Sequence, residues 1–162
     1  MKKVFTNGLL LGLLILLAGC QTPEMQGIQD ARVAARNAMN QEIATETPGD
    51  YFIGRRYYKK DYKFWGYVRS PGQPWNTAKL VMLNEQQKLA PDRAVNQIGN
   101  DNNYEYKLFG KFSGDTVYEP ASNGFYPEFV LTGYELRSVS PAPIFHTAAA
   151  VDPQQRVIGA PY

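Results

Sequence analysis

Apolar residues follow three different rhythms along this chain. Val4 to Leu17 is a mostly apolar run. Ile28 to Ala44 is Ala-rich and free of Pro and Gly, with Ile28, Ala31, Ala35, Met39 and Ile43 near a 3.6-residue spacing. That pattern predicts a helix with a thin apolar stripe, because alanine buries little area. Thr47-Pro48-Gly49-Asp50 then breaks the segment. From Tyr51 on, aromatic and β-branched residues replace alanine and turn residues recur at short intervals.

The period of two predicts strands. Tyr62 to Arg69 is one, stopped by Ser70-Pro71-Gly72. Ala78 to Asn84 is apolar on both faces at Leu80, Val81, Met82 and Leu83, as a central strand requires. From Asn103 to Phe112 the alternation is clearest: Tyr104, Tyr106, Leu108 and Phe112 face one way, Glu105, Lys107 and Lys111 the other. Ser113-Gly114-Asp115 carries hairpin chemistry and is expected to reverse the chain into Thr116 to Glu119. Phe129 to Ser138 is a further strand with Gly133 as a bend or bulge. Pro120, Asn123-Gly124 and Pro127 read as a loop, and residues 139–162, with four prolines and an alanine run, as an extended or disordered tail. No internal repeat is found.

Four or five antiparallel strands in about a hundred residues need closure to hide their edges. The expected fold is therefore mainly β: a small antiparallel OB-like barrel preceded by one helix. The loop Glu85 to Asn102 and the glycines Gly66, Gly110 and Gly133, where a small barrel bends, suit it. A transmembrane barrel does not, because the strands are few and their second faces charged.

The N-terminus has the layout of a secretory signal: basic Met1-Lys2-Lys3, the apolar run, then small Ala18-Gly19 before Cys20. The run is shorter than the ~20 residues that span a bilayer. Leu17-Ala18-Gly19-Cys20 resembles a bacterial lipobox. The resemblance implies cleavage before Cys20, with diacylglycerol on its sulfur and a fatty acid such as palmitate on its amine. Gln21 rather than Asp follows, which in such lipoproteins favours the outer membrane, periplasmic face. The expected organisation is a signal peptide (1–19), a lipidated Cys20 with spacer and helix (20–50), the barrel (51–138) and the tail (139–162). The helix would dock on its own domain, pair with a partner, or hold the domain off the membrane.

Charge then changes meaning. The chain has 17 Lys+Arg and 15 Asp+Glu. Without Lys2 and Lys3 the bases and acids balance, so the basic whole-chain charge is no argument for nucleic acid. Cys20 is the single cysteine, so its lipidation leaves no thiol for a disulfide or a thiolate-held metal. No cofactor is implied.

Phe64-Trp65-Gly66-Tyr67-Val68, Tyr106-Lys107-Leu108-Phe109-Gly110-Lys111-Phe112 and Phe129-Val130-Leu131 resemble segments of small OB-like outer-membrane lipoproteins of the starvation-inducible Slp type. The Ala-rich helix and the Arg55-Arg56 aromatic block depart from that pattern. The resemblance implies fold and address and transfers no functional residue.

Residues 55–69 hold six bases and one acid, interleaved with aromatics. One reading is an anion- or glycan-binding surface built on Arg55, Arg56, Lys59, Lys60, Lys63, Trp65 and Arg69. The other makes Trp65 and the tyrosines core and rim, with the bases on the wet face of an edge strand. His146, in the tail, has no companion ligands. Asp92, Asp101, Asp115, Glu119, Glu128 and Glu135 are the carboxylates from which an acid/base pair could be drawn. The function expected is a non-catalytic, lipid-anchored binding or structural module of the envelope, with an envelope protein or anionic polymer as partner. The alternative is a glycan hydrolase using paired carboxylates.

Overall fold

The computed structural model describes residues 23–162. Cys20 and the signal segment lie outside the described residues. Helix α1 spans Pro23–Ala44, one turn earlier than the stripe begins. Ala35–Tyr162 forms a compact unit. Of the unit before it, the described residues are helical with exposed side chains.

Five strands follow: β1 (Phe52–Arg56), β2 (Gly66–Arg69), β3 (Lys79–Asn84), β4 (Glu105–Glu119) and β5 (Gly124–Ser138). A short helix α2 (Pro91–Ala94) lies between β3 and β4, and another, α3 (Ala148–Val151), follows β5. The sheet closes into a barrel in the order β1-β2-β3-β5-β4, with β4 returning to β1. Closure removes the edges that a sheet of this size would otherwise expose. One expectation is corrected here: β3 and β5 run parallel, Met82 to Asn84 beside Glu128 to Val130, so the barrel is not wholly antiparallel.

The expected reversal at Ser113-Gly114-Asp115 is also corrected. β4 continues through it, and Phe112 and Thr116 pair with Phe129 and Pro127, so β4 carries two more residues than β5 over this stretch. The turn chemistry is real, with Gly114 at φ 95° and the Asp115 N–H on Ser113 Oγ, but it makes a bulge. The chain turns instead at residues 120–123, and Pro127 lies inside β5.

Two apolar cores result. The barrel interior holds Trp65, Val68, Val81, Tyr106, Leu108, Phe129 and Leu131. The second core covers the other face of β1 and β2. There Ile53, Tyr57, Phe64 and Tyr67 pack with Met39 and Ile43 of α1, with Trp75, and with Ile144, Phe145 and Ala150. Of the five stripe residues only Met39 and Ile43 are buried. Residues 139–162 are mostly irregular, yet Ile144 is fully buried and Tyr67 donates its hydroxyl to Gly159 O at 2.5 Å. The segment is packed as part of the fold because it covers β1 and β2, whose backbone and side chains are buried from both faces.

Candidate functional site

The seven residues of the expected anionic or glycan surface separate into two groups. Arg55, Arg56, Lys59, Trp65 and Arg69 are buried, so a surface built on them is corrected. Each buried charge is compensated inside the chain, as desolvation demands. Arg55 donates to Glu105 at 2.7 Å, to Asn103 Oδ1 at 3.2 Å and to Ala142 O at 3.1 Å. Burial lowers its pKa and Glu105 opposes that. Arg69 pairs with Glu46, and the Trp75 ring lies 5.2 Å from the Arg55 guanidinium and 4.7 Å from that of Arg69. Arg137 joins Glu46 and Glu105 at 2.9 and 3.0 Å. Lys59 Nζ donates to Ala149 O and Asp152 O at 3.2 and 2.8 Å, and burial lowers its pKa against the pull of Asp152.

Arg56 organises a second buried cluster. It lies 2.9 Å from Asp92 and 3.4 Å from Asp101, and donates to the carbonyls of Phe64 and Trp65. Burial raises the Asp101 pKa, Arg56 opposes and Asp92 adds to the rise. Tyr106 donates to Asp101 at 3.0 Å and is itself pushed well up, by burial first. The fold thus brings two of the sequence's candidate carboxylates together. Asp92 and Asp101 are nevertheless buried, and Asp92 also accepts from the Arg93 and Gly99 N–H groups. Both Asp92 oxygens are thus occupied, and Asp101 Oδ1, which carries no hydrogen bond, is buried beside Arg56, so neither carboxylate is open to a sugar or a water. Glu128 instead bonds Asn84, Glu135 lies 3.9 Å from Lys107, and Asp115 is exposed on the bulge. His146 is exposed, its ring 4.8 Å from Tyr162. Among the described residues no group of three or more His, Cys, Asp or Glu side chains converges as a metal site.

Lys60 and Lys63 are the exposed pair, and both line a groove of about 390 Å³ beside the 57–65 loop. That loop leaves β1 at Arg56 and is pinned at several points. The Tyr58 N–H reaches Asn102 Oδ1 at 2.9 Å, and the Lys60 N–H reaches Pro153 O at 3.0 Å. The Lys63 N–H donates to buried Glu119. Burial would raise the Glu119 pKa, but donors from Ser122, Ala121 and Lys63 hold it below the usual value. Phe64 meets Tyr126 of β5 at 5.6 Å. Gly99, at φ 77°, lets the Tyr58 ring lie where a Cβ would overlap it.

Tyr58, Tyr62 and Trp65 give the groove aromatic lining, with Arg56 5.3 Å from the Tyr58 ring and 6.0 Å from that of Trp65. Glu85, Asp92 and Arg93, from the β3–β4 connection, line it too. Glu85 Oε2 accepts from the Ala90 N–H at 3.1 Å and lies 3.3 Å from Arg93. Glu85 and Arg93 escape sequence reasoning, because nothing local marks a loop 20 to 30 residues away as the facing wall. Pro91, which starts α2 with Asp92 and Arg93 in one turn, is the single available signal. Among the described residues no helix is long and apolar enough to cross a membrane. Compared with known proteins, the chain matches no family model, no curated protein and no solved structure.

Proposed function

We propose that the protein is a lipid-anchored, non-catalytic binding module of OB type at the periplasmic face of the outer membrane, with the groove beside the 57–65 loop as its binding site. The five-strand closed sheet supports the OB assignment, and a loop after the first strand is where such barrels hold ligands. The lipobox-like Leu17-Ala18-Gly19-Cys20 supports the anchor. Acyl chains add about 0.8 kcal/mol per buried methylene, so several chains on Cys20 give stable attachment.

One observation carries the binding role. Among the described residues, Lys60 and Lys63 alone of the six block cations lack a side-chain partner, and both line the groove among aromatic rings. The other four are neutralised or hydrogen-bonded within the fold. Exposed, unpaired charge beside flat apolar faces is the chemistry of capture. The engagement of Asp92 and Asp101 by Arg56 weighs against glycan cleavage, which needs accessible carboxylates.

A photo-crosslinking residue in place of Tyr62, in intact cells, tests the reading. Capture of an envelope component is expected, lost when Lys60 and Lys63 are reversed to Glu. Cys20→Ser is expected to remove the protein from the outer-membrane fraction. Normal fractionation of that variant, or capture indifferent to the lysines, refutes the proposal.

A further inference from the structure

Taking the groove as the binding site, we infer that its ligand is an acidic sugar, a saccharide ring bearing a carboxylate. Three features point there. Lys60 and Lys63 supply two exposed cations from the 57–65 loop. Glu85, from the β3–β4 connection, uses Oε2 for Ala90 and Arg93, and its Oε1 has no partner among the described residues. A carboxylate oxygen that is free in a cleft accepts from hydroxyls. Tyr58 and Tyr62 also line the groove, and an aromatic side chain suits the C–H face of a sugar.

Other chemistries fit less well. An acyl chain would strip water from Lys60, Lys63, Glu85 and Arg93 without replacing it. A polyphosphate would set its dense negative charge near Glu85 and Asp92. A single carboxylate on a neutral, hydroxyl-rich ring satisfies the lysines and Glu85 together. The volume, about 390 Å³, is that of a small-ligand site, so one or two rings of a polymer are held.

The test uses the full-length protein in detergent, titrated calorimetrically with digalacturonate, its dimethyl ester and inorganic phosphate. Digalacturonate is expected to bind, and the ester at least several-fold more weakly. Lys60→Gln and Lys63→Gln are each expected to weaken the acid by about tenfold, since a charge-assisted hydrogen bond is of that order. Both side chains are exposed, so neither variant threatens the fold. Two envelope sources supply such acids, and two further arms separate them: delipidated lipopolysaccharide core and peptidoglycan fragments with a free lactyl carboxylate. Binding of either, lost in the double lysine variant, supports the inference and identifies the source. Equal binding of the ester, equal binding of phosphate, or no binding by any of the acids overturns it. Capture through position 62 in cells would persist in those cases if the groove serves another ligand class.

Discussion

Arg69 donates both terminal guanidinium nitrogens to the Glu46 carboxylate, at 2.6 and 2.8 Å. Glu46 follows α1, and Arg69 ends β2, so the pair ties the segment after the helix to the barrel wall. The Gly72 N–H and Arg137 complete the carboxylate's shell. Removing one member of a buried pair leaves an uncompensated charge, which costs about 3 kcal/mol or more. Glu46→Gln is expected to lower unfolding free energy by about that amount, while Glu46→Gln with Arg69→Met recovers part of it. Denaturant titration of the three variants measures the coupling. A single-variant loss no greater than that of an exposed ion pair would show the contact to be solvent-screened.

The same carboxylate gives the fold an acid limit. Burial acts to raise the Glu46 pKa, but Arg69, the Gly72 N–H and Arg137 outweigh it and hold the folded value below the ordinary 4.5. A depressed carboxylate contributes stability that is present above its unfolded pKa and lost as pH falls through the folded one. Glu119 acts in the same direction. Asp101 acts oppositely, since its raised value makes protonation favour the fold as pH falls. Urea unfolding from about pH 7 to pH 3 is expected to show stability falling below about pH 4.5, with a shallower fall in Glu46→Gln. Identical slopes would remove Glu46 from the account.

The segment after β5 is expected to act as core. Ile144 is fully buried against β1 and β2, whereas the Val157 side chain is exposed. Ile144→Ala is expected to cost about 3 kcal/mol, and Val157→Ala within about 0.5 kcal/mol of zero. Thermal or denaturant melts of the two variants check this. Equal small effects would mean that residues 139–162 add nothing to stability.

How much of this was legible in the chain depends on the distance over which each residue finds its partner. Leu80 to Leu83 and Tyr104 to Phe112 announce β3 and β4, because strand rhythm is local. Phe52-Ile53-Gly54-Arg55-Arg56 does not announce β1. Arg55 and Arg56 fall on opposite faces, and their counter-charges, Glu105, Asp92 and Asp101, lie 36 to 50 residues away. The same distance hid their burial, so a run of bases read as a surface. Ile144 and Phe145 stand among prolines, which mark irregular backbone correctly and say nothing about what it covers. For the groove, Lys60 and Lys63 were visible as cations, while the facing Glu85 depends on closure of the barrel.

Gly66, Gly110 and Gly133 stand where the sequence predicts a small barrel to bend, and Gly110 offers the sharpest test. It sits at φ 147° next to a register shift, and a Cβ there would overlap the Val130 carbonyl. Val130 cannot yield freely, since it pairs with Lys111 of β4 and Asn84 of β3. Gly114 also has positive φ, 95°, but a Cβ there meets nothing within 4 Å. Gly114→Ala therefore carries the conformational cost alone, about 1 kcal/mol. Gly110→Ala adds crowding against fixed backbone and is expected to lose about 3 kcal/mol in total. Denaturation midpoints at an unchanged m value measure the difference. If the two variants lose the same stability, β4 and β5 are free to part at Gly110, and the glycine supplies backbone freedom without a close approach.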